Sequence, residues 1–447
     1  MALSERLRHG ANGTSHAGSA LEATTEGYIA LKGELHRRIV DKLDVKTLQT
    51  LQPDRLRGEL RELLASMVMA SRAPLNQSER ERIIKELLDE LTGLGPLETL
   101  LRDPTISDIL VNGPATVFVE RAGKLEPALI RFDDDAHLMR IINRIVSRVG
   151  RRVDETSPMV DARLPDGSRV NAIIPPLALD GPALSIRRFG VTALKARDLV
   201  VLGSVTPAAM AFMGACVRAK ANVLISGGTG SGKTTLLNAL SSFIPEDERI
   251  VTIEDSAELK LQQPHVVRLE TRPPNIEGKG EITARELVRN CLRMRPDRIV
   301  VGEVRSSEVL DMLQAMNTGH EGSMTTVHAN TTRDALSRLE SMVGMAGLPL
   351  TETATRQIIS RAIHVIVQLN RGVDGHRRIM SVAEITGSEG TMISMQEIFR
   401  FDQKGIDAKG RVQGELVASG IRARILDRIQ RAGVDVSAMV RDLAEAR

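Results

Sequence analysis

Nine consecutive residues, Gly227-Gly228-Thr229-Gly230-Ser231-Gly232-Lys233-Thr234-Thr235, place four glycines ahead of one lysine and two threonines. The spacing G-x-x-x-x-G-K-T suits a polyphosphate. Glycines let the backbone turn successive N–H groups, and the start of the following helix, toward one anion. Lys233 would bring a point charge to the β- and γ-phosphates, and the Thr234 hydroxyl would ligate Mg²⁺. The competing reading is a glycine-rich turn that binds nothing, and local context argues against it. Asn222-Val223-Leu224-Ile225 reads as a buried strand just ahead of the loop. Thr235-Leu236-Leu237-Asn238-Ala239-Leu240 opens a helix just behind it. ATP with Mg²⁺ is the expected ligand.

Such a loop needs carboxylates to hold the metal and to orient water. Arg298-Ile299-Val300-Val301-Gly302-Glu303 is an apolar strand that delivers Glu303 at its end, with Gly302 permitting close backbone approach. Glu303 occupies the Walker B position, with Glu where Asp is usual, and is the expected Mg²⁺ partner of Thr234. Ile250-Val251-Thr252-Ile253-Glu254-Asp255-Ser256-Ala257-Glu258 is a second strand ending in three carboxylates. Crowded carboxylates repel one another, which is tolerable beside Mg²⁺ or arginine; a solvated turn is the plain alternative. A third strand runs through Met324-Thr325-Thr326-Val327 to His328. On its own that histidine reads as structural.

The elements that must position these residues alternate as strand and helix. Strands are expected at 222–226, 249–254, 266–270, 298–303, 323–328 and 363–369, implying a mostly parallel sheet covered by helices. Hairpins are expected at Asp374-Gly375 and Glu389-Gly390, followed by a helical tail from 421 to 446. Upstream, Leu60, Leu63, Leu64, Met67 and Val68 share one helical face, and Ile83, Ile84, Leu87, Leu88 and Leu91 share another. From Thr105 the period drops to two. The expected organisation is a disordered tail at 1–27, a helical bundle at 28–101 and a small α/β domain at 102–190. A hinge at 191–206 then leads into a RecA-like α/β domain at 207–447.

Composition narrows the options further. The 447 residues are 42% hydrophobic and 26% charged, as in a globular protein, with a net charge of +3. No apolar run approaches the ~18 residues of a membrane span, and the N-terminus has no signal-peptide core, so a cytoplasmic location is expected. The near-neutral charge, absence of Trp, single Tyr and seven Phe give little support to nucleic-acid binding. Cys216 and Cys291 are the two cysteines, and two cannot build a four-cysteine zinc site.

From the phosphate loop through Ile253-Glu254-Asp255, Leu292-Arg293-Met294-Arg295-Pro296-Asp297, Val301-Gly302-Glu303, Gly319-His320-Glu321-Gly322 and Thr326-Val327-His328-Ala329-Asn330, the chain resembles the secretion-superfamily ATPases. These power type II secretion, type IV pili and type IV secretion. Arg268-Leu269-Glu270-Thr271-Arg272-Pro273-Pro274-Asn275-Ile276-Glu277-Gly278 and Ile106-Ser107-Asp108-Ile109-Leu110-Val111-Asn112-Gly113 are similar to the CpaF branch, also called TadA in tight-adherence pilus systems. The resemblance implies a ring-shaped homo-hexamer that binds nucleotide between its small and RecA-like domains. It assigns activation of the attacking water to Glu258, with Glu254 as the alternative, action on Mg²⁺ to Glu303, and γ-phosphate sensing to His328. It places Arg169 and Arg187 over the phosphates, adds Arg285 and Arg289 ahead of Walker B, and leaves Arg268 and Arg272 as further candidates. Type II and pilus-extension ATPases commonly carry a four-cysteine module that this chain cannot make, which turns the reading toward the CpaF, retraction-ATPase or type IV secretion branches.

The resulting expectation is an ATP hydrolase that assembles a tight-adherence pilus through inner-membrane platform proteins, with retraction as a further role left open. A type IV secretion ATPase, a RecA-like nucleic-acid motor and a non-hydrolysing nucleotide-gated scaffold are the rivals. The small polar residues at 10–27 cannot bury a core. A chain starting at Tyr28 is therefore expected to keep full ATPase activity in a phosphate-release assay, and loss of activity would contradict this.

Overall fold

The structure, a computed structural model, describes residues 28, 31–39, 53–71, 73, 75–121, 123–188, 194–274, 278–389, 392–408 and 410–437. The tail expected at 1–27 and residues 191–193 of the expected hinge lie outside the described residues. Contacts divide the chain into two units. The first takes the described residues up to Arg121 with Leu125–Leu164 and Val170–Arg188; the second takes the remainder, including the turn Pro165–Arg169.

In the first unit, α1 (Pro53–Ala70), α2 (Gln77–Thr92) and a helical stretch at 31–39 bury Leu35, Ile39, Leu60, Leu64, Ile83 and Leu87 together. A capping box starts α2: Asn76 Oδ1 accepts from the Glu79 N–H (2.9 Å), and the Glu79 carboxylate accepts from the Asn76 N–H (2.8 Å). After the short α3 (Leu97–Leu101) come strands β1 (Ile106–Asn112), β2 (Val117–Arg121) and β3 (Lys124–Pro127), then α4 (Asp135–Arg148). Strands β4 (Met159–Arg163), β5 (Arg169–Ile173) and β6 (Ala183–Arg187) complete a sheet in the order β3-β2-β1-β6-β5-β4. Leu138, Ile141, Ile142 and Ile145 of α4 join its core. β4 was not expected; it is a short edge strand in which Val160 is the one buried residue, so little apolar signal marks it. The helices and the small sheet, expected as separate domains, fall within one unit by their contacts.

The second unit opens with α5 (Ala196–Val201), which occupies much of the expected hinge, and α6 (Pro207–Arg218). Its sheet uses β7 (Val223–Gly227), β8 (Ile250–Glu254), β9 (Val266–Glu270), β10 (Arg298–Val301), β11 (Met324–Val327), β12 (Val365–Arg371), β13 (Arg377–Glu389), β14 (Met392–Ile406) and β15 (Val412–Ala418). The order is β15-β14-β13-β12-β7-β11-β10-β8-β9. From β12 to β9 neighbouring strands run parallel, whereas β13, β14 and β15 are antiparallel. Helices α7 (Lys233–Ser241), α8 (Ala284–Cys291), α9 (Glu308–Asn317), α10 (Thr332–Gly344) and α11 (Glu352–Ala362) cover it. Side chains alternate between two cores, one receiving Val223, Ile225, Val300, Val365 and Val367, the other Leu224, Ile299, Val301 and Ile366. A sheet buried on both faces gives the near-continuous apolar runs seen in the sequence. The turn at Asp374-Gly375 joins β12 to β13; of the turn at Glu389-Gly390, residues 390 and 391 lie outside the described residues. The expected tail helix appears among the described residues as α12 (Leu426–Arg431), which gives way to Gly433 at φ +69° before helix resumes at residues 436 and 437.

Polar side chains lock the starts of the central strands. Asn222, fully buried ahead of β7, donates to Ala362 O (2.6 Å) and accepts from the N–H groups of Gly322 (2.7 Å) and Ser323 (3.0 Å). The approaches to β7, β11 and β12 are thereby joined. Arg298, also fully buried, starts β10, pairs with Glu248 and donates to Val217 O (2.7 Å) and Gly322 O (3.2 Å). Arg298→Leu leaves the buried Glu248 carboxylate with Lys220 at 3.7 Å and removes its buried partner, so stability is expected to fall by ~3 kcal/mol. Denaturant unfolding followed by circular dichroism checks this.

Candidate functional site

The glycine-rich loop leaves β7 at Gly227 and enters α7 at Lys233. Gly232 caps that helix at φ +98°, in a left-handed region that disfavours residues bearing a Cβ. Lys233 folds back over the loop. Its ammonium donates to Gly227 O (2.9 Å) and Gly228 O (3.2 Å) and lies 3.7 Å from Glu303 Oε1. Burial pushes the pKa of Lys233 below the usual lysine range, and the Glu303 carboxylate pulls it back up. Ser231 Oγ donates to Gly228 O at 2.8 Å, closing the loop internally.

Strand order brings in the carboxylates. β7 neighbours β11, β11 neighbours β10 and β10 neighbours β8, so the C-terminal ends of β10 and β8 deliver Glu303 and Glu254 to the edge that carries the loop. Thr326 Oγ1 donates to Gly302 O (2.7 Å) and the Val304 N–H donates to Thr326 O (2.9 Å), which fixes the segment bearing Glu303 to β11. Gly302 is needed for space: a Cβ there would lie 3.0 Å from Glu254 Cγ. Glu254 is buried. Its Oε2 accepts from the N–H groups of Glu258 (2.7 Å) and Leu259 (2.9 Å), while its buried Oε1 has no hydrogen-bond partner. Burial raises its pKa, and the two N–H groups oppose that. Glu254 therefore shapes the backbone that presents Glu258. Glu258 itself keeps a 30% exposed side chain and accepts from Arg169 Nη1 at 2.9 Å, Arg169 being the last residue of the turn that groups with this unit.

Arg305 was not singled out by sequence. Its guanidinium donates to Glu303 Oε2 (2.9 and 2.6 Å) and lies 3.1 Å from Asp255 Oδ2, so one cation spans two of the crowded carboxylates. The available signal was its place two residues past the Walker B glutamate. His328 is half-buried just beyond β11; the carbonyl of the next residue, Ala329, accepts from Ser226 Oγ (3.4 Å) and Gln368 Nε2 (3.3 Å). Arg285 and Arg289 both donate to Asp311 on α9, at 2.7 and 2.8 Å. Arg268 is exposed on β9, and Arg272 donates to Gly280 O (2.6 Å). In the first unit, Arg187 donates to Asp108 Oδ1 (3.1 Å).

Among the described residues no cluster of three or more His, Cys, Asp or Glu forms a protein-only metal cage. The donors at the loop nevertheless suit Mg²⁺. The Thr234 hydroxyl and the Glu303 carboxylate are hard oxygens, and together they leave most of an octahedron to phosphate and water.

A parallel sheet with a glycine-rich loop at its carboxyl edge, a lysine in the loop and carboxylates from neighbouring strands defines a phosphate-loop α/β protein. The chain belongs to the type II/IV secretion system protein family, whose model matches residues 90–417. It is 41% identical over 313 residues to a Mycobacterium tuberculosis protein whose name provisionally attaches it to conjugal transfer, covering 69% of this chain and 88% of that protein. Conjugal transfer protein TrbB of Rhizobium radiobacter is 33% identical over 317 residues, covering 68% and 91%. The crystal structure of the VirB11 ATPase from the Brucella suis type IV secretion system, in complex with sulphate, is 31% identical, covers 64% of this chain and 94% of that one, and has a TM-score of 0.36. The chain is thus homologous to secretion ATPases. Among the described residues no helix is long and apolar enough to cross a membrane.

The buried, half-partnered carboxylate of Glu254 costs stability once ionised. Its folded pKa is raised, so with rising pH the unfolded chain gives up this proton first and the fold is weakened. Glu254→Gln does not titrate there. The variant is expected to unfold at higher denaturant than the parent at neutral pH, with the gain disappearing below the carboxylate range. Paired denaturation curves at pH 7 and pH 4 check this.

Proposed function

We propose that this protein is a Mg²⁺-dependent ATPase that hydrolyses ATP to ADP and phosphate and converts the cycle into motion at a secretion or pilus machine. The observation that carries the reading is Lys233: a loop lysine held among backbone carbonyls beside Glu303, where a nucleotide polyphosphate would displace those carbonyls. Membership of the secretion family supports the same reading.

Thr234 and Glu303 would hold Mg²⁺, which when bound neutralises the phosphate charge. Lys233 would bind the β/γ-phosphates, and the loop N–H groups would orient them. Glu258 would take the proton of the attacking water, because its carboxylate is partly open whereas that of Glu254 is buried and spent on the backbone of residues 258 and 259. Glu254 would then be the residue that holds Glu258 in place. His328, Arg169, Arg187, Arg285 and Arg289 are carried as phosphate-sensing or charge-stabilising candidates on the resemblance described above.

Within the superfamily we assign the chain to a CpaF/TadA-type motor of tight-adherence pili. It would work as a ring-shaped homo-hexamer in the cytoplasm, on the inner-membrane platform proteins. A second reading, a type IV secretion ATPase moving protein or DNA, is favoured by the relatives named for conjugal transfer and by VirB11. Co-purification with two multispanning platform proteins supports the pilus assignment; co-purification with conjugation-channel components overturns it.

Lys233→Ala is expected to lower steady-state phosphate release to background with the circular dichroism spectrum unchanged, since the lost charge faces ligand. Glu258→Gln should retain ATP binding while cutting turnover on the order of 10²-fold. Glu303→Gln should weaken Mg²⁺ dependence and turnover together. Normal turnover by Glu258→Gln alongside a dead Glu254→Gln would reverse the two roles.

A further inference from the structure

The phosphate loop is also held from a side that the sequence motif does not specify. The turn between β12 and β13 is built to be rigid. The Gly372 N–H donates to His376 O (2.8 Å) and the Gly375 N–H to Gly372 O (2.9 Å). Asp374 accepts from the N–H groups of His376 (3.1 Å) and Val412 (3.0 Å) and takes two bonds from Arg378 (3.0 and 2.8 Å). This turn presents Arg371 and Arg377 directly opposite each other across the β12–β13 pair. Like charges opposite one another destabilise an antiparallel pair, so the arrangement needs another reason to exist.

That reason lies beside the loop. Arg377 Nε donates to Gly230 O at 2.9 Å. A Cβ on Gly232 would lie 3.4 Å from Arg377 Cδ, and a Cβ on Gly230 would lie 3.5 Å from Arg371 Nη1. Both side chains therefore lie along the glycine stretch that would wrap the phosphates. In a trans peptide the C=O and the following N–H point in opposite directions. Holding Gly230 O on Arg377 directs the Ser231 N–H to the other side of that peptide, where it donates to Gly228 O at 3.3 Å. Ser231 N–H is one of the donors the loop would offer to a polyphosphate.

We propose that Arg377 is a positioning residue for the phosphate loop: it fixes the Gly230–Ser231 peptide so that the Ser231 amide faces a nucleoside di- or triphosphate. The proposal rests on the nucleotide reading above. Such pre-organisation acts equally on bound substrate and transition state, so its loss raises KM and leaves kcat in place. Freeing that peptide is expected to cost about tenfold in affinity, near the low end of what a hydrogen bond from a charged donor contributes.

The test uses the full chain, ADP as the binding probe in the presence of Mg²⁺, and steady-state ATP hydrolysis. Arg377→Met keeps side-chain reach and removes the donor; it is expected to raise the ADP Kd and the ATP KM about tenfold, with kcat within about twofold. Arg377→Lys restores a charged donor and is expected to stay within about threefold of the parent on all three. Arg377 is exposed, and an unchanged melting temperature in both variants separates loop positioning from loss of fold. A Met variant within about twofold of the parent in Kd and KM overturns the proposal, as does a fall in kcat at unchanged KM. A parent chain that does not bind ADP overturns the nucleotide reading itself, a distinct result.

Discussion

The site is organised around one ammonium held between two backbone carbonyls and a carboxylate. Lys233 Nζ is bonded to two loop carbonyls, 3.7 Å from Glu303, on a side chain only 11% exposed. A cation in that position is destabilised by burial and held by its neighbours. Glu303 is in turn shared with Arg305, which also reaches Asp255. Before any ligand arrives, two cations balance a crowd of carboxylates that would otherwise repel one another. Polyphosphate and a divalent cation would enter this arrangement with matching charges, the anion taking Lys233 and the metal taking Glu303.

The rest of the second unit serves to hold that arrangement at one edge of a sheet. Parallel strands β7, β11, β10 and β8 point their carboxyl ends the same way, so a loop and carboxylates far apart in sequence reach one place. At the opposite ends of these strands, Asn222 and Arg298 fasten the starts of the strands through buried hydrogen bonds. Gly302 contributes by lacking a side chain, which lets Glu254 lie against the neighbouring strand. Dense packing resists continuous adjustment, so a displacement of the loop lysine or of Glu303 would be felt along whole strands. That would give a physical route from phosphate chemistry to movement.

Much of this was legible in the sequence because it is encoded locally. The loop, its strand and its helix are contiguous, and β8 and β10 read as largely apolar runs because both faces of the sheet are covered. What escaped was non-local or unpatterned. β4 is a charged edge strand with one buried residue. Arg305 and Arg377 act through pairings that no spacing rule reveals, one with carboxylates just past the ends of two strands and the other with a carbonyl 147 positions earlier in the chain. Arg285 and Arg289 sit one helical turn apart, and the structure gives them a shared carboxylate on the next helix, Asp311. Family identity was legible from the motif run; the branch within the family was carried by looser wording.

The most direct test of the central claim is a crystal structure of the chain with a non-hydrolysable ATP analogue and Mg²⁺. The polyphosphate is expected between β7 and α7, with the Lys233 ammonium moved from the carbonyls of Gly227 and Gly228 onto the β/γ-phosphates and the metal coordinated by Thr234 near Glu303. An analogue bound elsewhere, or one bound there with Lys233 still on those carbonyls, would contradict that claim.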